Sequence, residues 1–293
     1  MYSNLTRGTA YRTQNTVKNK DKAGFFAPVE LVDTATLLND SFEIRSDRSK
    51  AVVVTKPSGT RSIVNLASPS YGLHSTTDLF GRLEDQMAGK LDFEAEYSHE
   101  GYKRFFADYT LKGRMTSIGN LSFKEDKIAP KIRVMHSYDS WIPFTFSVGF
   151  WRQICSNGLH GYRFDQKARV KNTVNATPEI YRIMVDEMQA LIDSVGQIEV
   201  VYHDMANREI PNWTDRIAEV IAATAFPSKQ VEAVTQRLML EHQQGLAMTD
   251  WLVYNAFNYQ LNHNSTIGVD EYKKMELDKA VFDILSEPSS MLN

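Results

Sequence analysis

Two adjacent runs of alternating side chains constrain the fold of this 293-residue chain more than any other feature. Apolar or ring side chains occupy every second position of residues 132–138 and again of residues 144–150, with mostly polar or small residues between them. A period of two is typical of a β-strand with one buried face. Because the five residues 139–143 join the two runs, the pattern predicts an antiparallel hairpin.

Shorter strand signals precede this hairpin. Residues 51–54 and 62–66 are candidate strands, and the segment 56–59 (KPSG) between them is typical of a turn. Residues 91–97 alternate between apolar and acidic side chains, and residues 102–111 form a candidate return strand. The sequence therefore predicts several antiparallel pairs before residue 175.

Helix signals are fewer before residue 175 and dominate after it. Ser75 is a candidate N-cap, with Asp78 three residues later in the position of a weak capping box, and Gly89 is the expected end of that helix. After residue 175, capping residues and apolar stripes predict five further helices. These helices are expected to begin near Thr177, Pro211, Ser228, Thr249 and Asp270.

This order of elements predicts an α+β protein: an antiparallel, hairpin-rich sheet with helices, followed by an all-helical C-terminal part. We predict a flexible leader over residues 1–25, because polar residues dominate it and apolar periodicity is absent. A mixed α+β basic domain is expected over residues 26–175 and a helical acidic region over residues 176–293.

Several classes of protein are excluded or disfavoured by composition. The single cysteine, Cys155, excludes an internal disulfide framework and a multi-cysteine zinc site. No run of 18 apolar residues is present and the N-terminus has no apolar signal region, so we expect a soluble, cytosolic protein. Glycine-rich phosphate-binding loops are absent, and the sequence predicts no cofactor.

The net charge of −3 hides an asymmetry between the two parts of the chain. Residues 1–175 hold 25 Lys and Arg against 18 Asp and Glu, whereas residues 176–293 hold 8 against 18. A basic half of net charge +7 favours contact with a polyanion, while the acidic half, at −10, is not expected to touch nucleic acid directly. The alternative is two differently charged faces of one ordinary protein.

Basic and aromatic side chains are interleaved in three places, and this mixture suits single-stranded nucleic acid: cations follow the phosphates and aromatic rings stack on bases. A solvated strand face with core aromatics behind it is the alternative. The candidate nucleic-acid-binding residues are Tyr102, Lys103, Arg104, Lys131, Arg133, Arg152, Tyr162, Arg163, Phe164, Lys167, Arg169 and Lys171.

Two further patterns have a catalytic and a structural interpretation. Asp92, Glu94 and Glu96 form an acidic row on one strand, which suits either Mg²⁺ for phosphoryl chemistry or the solvent face of a half-buried strand. Cys155 is a nucleophile only with a histidine in reach, such as His160 or His136, and otherwise is a small residue packed beside the Asn-Gly turn that follows it. We predict no catalytic residues.

Three segments carry a resemblance to a known family. They are residues 132–139 (IRVMHSYD), residues 144–159 (FTFSVGFWRQICSNGL) and, near the C-terminus, Trp251 with residues 254–263 (YNAFNYQLNH). Over roughly residues 40–265 the chain resembles a phage- and plasmid-borne family catalogued only as a domain of unknown function. The resemblance implies a mobile-element protein that acts in a bacterial cytoplasm.

The order of elements also resembles that of the single-strand annealing proteins of phages and their eukaryotic recombination relatives. That resemblance implies β-hairpins and a basic groove that hold single-stranded DNA, with subunits joined into rings or filaments. Our first hypothesis is therefore a non-enzymatic protein that binds and anneals single-stranded DNA in phage or plasmid recombination or replication. The alternatives are a phage-encoded interaction protein directed at a host or defence factor and, with least support, a metal-dependent nuclease.

Overall fold

The computed structural model describes most of the chain as an α+β protein, which confirms the predicted fold class. The described residues are 17–19, 25–37, 48–88, 90–120, 125–152, 157–159, 169–170, 173, 199–264 and 271–288, with a few single positions between 180 and 197.

Eight antiparallel strands form the larger of two sheets. They are β1 (Val17–Asn19), β5 (Glu94–Glu100), β6 (Arg104–Thr110), β7 (Thr116–Asn120), β8 (Glu125–Ser137), β9 (Phe144–Arg152), β10 (Asn157–Leu159) and β11 (Arg169–Val170). The main order is β1-β5-β6-β8-β9-β10, with β7 paired to the start of β8 and β11 to the start of β9. The predicted hairpin is β8–β9, and β1 lies inside the predicted flexible leader.

A smaller antiparallel sheet consists of β2 (Val29–Asp33), β3 (Lys50–Thr55) and β4 (Arg61–Ala67), in the order β2-β3-β4. The predicted turn joins β3 to β4, and Gly59 adopts a φ of +80° there, a conformation that glycine reaches without steric cost. Val52 and Val54 point from this sheet into the core.

The described helices are α1 (Thr34–Leu37), α2 (Thr76–Met87), α3 (described at 199–207), α4 (Trp213–Ala223), α5 (Val231–Gln243), α6 (Asp250–His263) and α7 (Glu271–Ser286), with 3₁₀ turns at Lys112–Arg114 and Ser228–Gln230. α2 follows Ser75 as predicted, but the Ser75 side chain makes no capping hydrogen bond. None of the helices in the described part of the chain is long and apolar enough to cross a lipid bilayer.

The hydroxyl of Thr249 caps α6, as the sequence predicts, by accepting a hydrogen bond from the backbone N–H of Leu252. This contact satisfies one of the unpaired N–H groups of the first turn. We expect Thr249→Ala to lower the free energy of unfolding by about 1 kcal/mol, measured by urea denaturation. Ser75→Ala is the matched control, since its hydroxyl makes no such bond, and an equal loss in both variants would contradict the assignment.

The larger of the two hydrophobic clusters in the described residues joins the sheets and the helices. On the large sheet, the face that carries Phe105, Val134 and Phe146 shares this core with α2, where Phe80 is buried. The C-terminal helices reach the same core through Tyr202, whose ring lies 5.0 Å from that of Phe150. α6 is buried along almost its whole length.

The large sheet has two distinct ends. The first, here named the turn end, carries the β5–β6 turn at residues 101–103 and the β8–β9 turn at residues 138–143, because Arg104 pairs with Ser137. The opposite end carries the first residues of β8 and the last of β9, where α5 and α6 pack. The start of α7 also reaches the turn end, since Met275 clusters there with Ile142.

Candidate nucleic-acid interface

Two neighbouring turns at the turn end bring a cluster of charged side chains together. Arg104 donates from Nε to Asp139 Oδ2 at 2.8 Å and from Nη1 to Glu100 at 3.4 Å. Lys103 Nζ lies 3.8 Å from the same Asp139 oxygen. The side chains of Lys103, Arg104 and Asp139 are partly exposed, whereas Glu100 is buried beneath them, so the cluster lies at the surface.

Trp141 lies at the tip of the β8–β9 turn with 58% of its surface exposed. The guanidinium carbon of Arg104 lies 5.0 Å from the centroid of the Trp141 ring, within the range of a cation–π contact. The backbone N–H of Trp141 donates to Asp139 Oδ1 at 3.1 Å. Trp141 is thus a large apolar ring presented to solvent beside a cation.

Hydrogen bonds from β4, from Tyr71 and to the β5–β6 turn fix the β8–β9 turn. Asn65 donates from its amide to the Tyr138 carbonyl at 2.9 Å and to Ser140 Oγ at 3.1 Å. The Tyr71 hydroxyl donates to the same carbonyl, and the Tyr138 N–H donates to the Lys103 carbonyl at 2.7 Å. These bonds hold the two turns together and fix the backbone that carries Trp141 and its charged neighbours.

Tyr102 occupies the β5–β6 turn with a positive φ of 58°, next to Gly101 at 57°. Its ring stacks on His99 with centroids 4.0 Å apart, and its backbone N–H donates to His99 Nδ1 at 3.4 Å. Burial lowers the pKa of His99, which favours the neutral imidazole that accepts this bond. Tyr102 is half-buried, so its ring is committed at least in part to this intramolecular stack.

The basic stretch of residues 160–171 meets the same end of the sheet at one described point. The backbone of Arg169 in β11 pairs with Thr145, four residues after Trp141. The other predicted residues of this stretch, Tyr162, Arg163, Phe164, Lys167 and Lys171, and the Arg169 side chain lie outside the described residues, as do Cys155 and His160. Their part in nucleic-acid binding stays a prediction.

Lys131 and Arg133 lie in the interior and not on a solvated strand face. Arg133 donates to both carboxylate oxygens of Asp108 on the neighbouring strand, and Lys131 Nζ lies 2.9 Å from Asp108 Oδ2. Burial lowers the pKa of Lys131, while the Asp108 charge opposes that change. A phosphate contact through either cation would require this buried cluster to open.

Arg152 is fully buried at the opposite end of the sheet. It binds Asp126 through Nε and Nη2, and its Nη1 donates to Glu241 of α5 at 2.8 Å. Trp251 of α6 also donates to Asp126, at 3.0 Å. The basic and acidic parts of the chain therefore meet through this network, and Arg152 is directed away from solvent.

The acidic row is a solvent face. Glu94 and Glu96 on β5 are exposed, and so is Asp92 just before the strand. In the described part of the chain, no three His, Cys, Asp or Glu side chains lie close enough together to hold a metal ion.

Trp141 and Asp139 were missed by sequence reasoning, which treats residues 139–143 only as a connection between strands. The available signal is a tryptophan in a short turn between two strands, because loop residues carried on a rigid scaffold are frequently functional. By contrast, Lys103, Arg104 and Tyr102 were predicted, and the structure places them beside this turn.

Comparison with known proteins gives one match. A model of the family described as "Domain of unknown function (DUF932)" matches residues 64–282. No curated protein and no solved structure matches the chain. The match agrees with the resemblance to a family of unknown function and adds no activity to it.

Proposed function

The chain belongs to the DUF932 family, which assigns no activity, and we propose from its own residues that it binds single-stranded DNA and anneals complementary strands. One observation carries the proposal: at the turn end, the exposed ring of Trp141 lies beside Arg104, and Lys103 faces the same Asp139 carboxylate as Arg104. The strand that contains Arg169 joins the sheet next to it. Exposed rings beside cations are the elements from which proteins build surfaces for single-stranded nucleic acid.

The preference for a single strand follows from the exposed aromatic ring. In a duplex the base faces are stacked on one another, whereas an unpaired strand presents them to a protein ring. Phosphate contacts add affinity without sequence preference, and the basic half of the chain supplies the charge for them. We therefore propose binding of low sequence preference without a chemical step on the DNA.

Annealing requires two complementary strands to be held near one another with their bases accessible. A single turn end is a small surface, so we propose that copies of the chain associate, as a ring or a filament, and present several such surfaces to one strand. The setting that we propose is phage or plasmid recombination or replication in a bacterial cytoplasm.

Binding of labelled oligothymidylate, followed by fluorescence anisotropy, tests the proposal. We expect the affinity to fall steeply with salt and duplex DNA to compete poorly. Replacing both Lys103 and Arg104 with Gln is expected to make the plot of log affinity against log salt less steep. The magnitude of its negative slope should fall by about 1.4, because each single-strand phosphate contact contributes about 0.7.

The matched control replaces Lys127 and Lys279 with Gln. It changes the net charge by the same amount, but these half-exposed lysines lie at the other end of β8 and in α7. The control is expected to keep the wild-type slope. Absence of wild-type binding at low salt would contradict the function, whereas equal slopes in both double variants would contradict the interface alone. Pairing of two labelled complementary strands then measures annealing.

A further inference from the structure

We propose that the two turns at the turn end form a subsite for one nucleotide, in which Trp141 stacks on the base and Arg104 exchanges the Asp139 carboxylate for the adjacent phosphate. This inference rests on the proposed function and adds to it a defined base contact and an internal competitor for the phosphate.

The base contact follows from the position of Trp141. More than half of its surface is exposed. From the tip of the turn this large apolar side chain contributes little to the core, so packing alone does not explain its presence there. Arg104 lies within cation–π distance of the ring, and the turn below is fixed by Asn65 and Tyr71. An exposed indole next to a guanidinium group offers a ring on which a base stacks and a cation for the adjacent phosphate.

The phosphate contact follows from what Arg104 and Lys103 hold in this structure. Both cations are directed at one oxygen of Asp139, at 2.8 and 3.8 Å. A carboxylate that receives an arginine and a lysine occupies the place that a phosphate oxygen takes in a complex. Asp139 therefore keeps the two cations oriented in the free protein and competes with DNA for them.

Removal of the Asp139 charge is consequently expected to raise the affinity for DNA. A purely structural role of Asp139 does not predict such a rise. Asp139→Asn keeps an oxygen for the Trp141 N–H, so the turn geometry is retained. We expect this variant to bind oligothymidylate severalfold more tightly at low salt. We also expect a steeper salt slope, because the displaced Asp139 carboxylate of the wild type takes up a cation from solution and so offsets part of the cation release from the DNA.

Intrinsic fluorescence tests the base contact. The chain has four tryptophans, and Trp141 is the one of the four that is exposed. We expect oligothymidylate to quench part of the emission of the wild-type protein. The quench should disappear in Trp141→Phe, and Trp141→Ala should bind about tenfold more weakly. Trp213→Phe, in the acidic part of the chain, is the matched control and should retain the quench.

An oligonucleotide of the same length with abasic sites separates base from phosphate contacts. Wild-type protein should prefer the strand that carries bases, and Trp141→Ala should lose most of that preference. If wild-type protein binds but Trp141→Ala keeps the full preference and the quench, the base contact is wrong. If Asp139→Asn binds no more tightly than wild type, the competitor role is wrong. If wild-type protein binds no single strand at low salt, the proposed function itself is wrong.

Discussion

Arg152→Ala is expected to lower the free energy of unfolding by about 3–5 kcal/mol, the range for breaking a buried ion pair. The substitution leaves the carboxylate of Asp126 without its bidentate partner in a site that excludes water. Glu241 keeps Arg237 but loses the buried guanidinium at 2.8 Å. The cation–π contact of Arg152 with Trp251, at 5.5 Å, is lost as well.

Urea denaturation followed by circular dichroism measures this effect, and Arg152→Met separates charge from volume because it fills much of the same space. Both variants should lose stability. Lys127→Ala is the matched control in β8, since its ion pair with Glu125 is exposed and contributes at most about 1 kcal/mol. A loss below about 1 kcal/mol for Arg152→Ala would show that water or a rearranged partner replaces the guanidinium.

The Arg152 network also bears on how the chain divides. The sequence predicts a boundary near residue 175, where the charge and the type of element change. In the structure, Asp126 and Arg152 before that boundary bond to Glu241 and Trp251 after it, and all four are buried. A fragment that ends at the boundary would expose this charged cluster together with the apolar residues around it, so we interpret the two regions as interdependent in stability.

The elements of the fold were largely predictable, because they depend on local periodicity. The β8–β9 hairpin follows from alternation, and α6 follows from the Thr249 cap and an aromatic stripe. Ser75 shows the limit of such signals: α2 begins after it, yet its hydroxyl makes no capping bond. A pattern of side chains identifies where an element begins more reliably than which contact fixes it there.

The candidate site was predictable only in part, because periodicity separates the two faces of a strand without showing what covers them. Lys131 and Arg133 do share one face of β8, as alternation predicts. On that face both contact Asp108 of β6, and no local sequence signal predicts the register between β6 and β8 that brings Asp108 there. Lys103 and Arg104 lie in or beside a turn, where exposure is the rule, and they stay partly exposed.

Asp108→Asn is expected to lower the free energy of unfolding by about 3–5 kcal/mol, because it removes the carboxylate that neutralises two buried cations. Arg133 would lose its bidentate partner, and Lys131, whose pKa burial already lowers, would retain only the more distant charge of Glu96. Thermal or urea denaturation measures the loss. Asp33→Asn is the matched control, since Asp33 pairs with Lys50 at an exposed position of the small sheet.

The same cluster separates a structural role for these cations from a role in DNA binding. If Arg133 stabilises the interior, Arg133→Met should reduce stability by several kcal/mol, while protein that is still folded binds oligothymidylate with the wild-type affinity and salt slope. If Arg133 instead contacts phosphate, the variant should keep its stability and lose about 0.7 from the salt slope. The bidentate pair with Asp108 and the burial of both partners favour the first outcome. The phosphate contacts that we propose would then come from the partly exposed cations of the turn end, Lys103 and Arg104, which both face the carboxylate of Asp139.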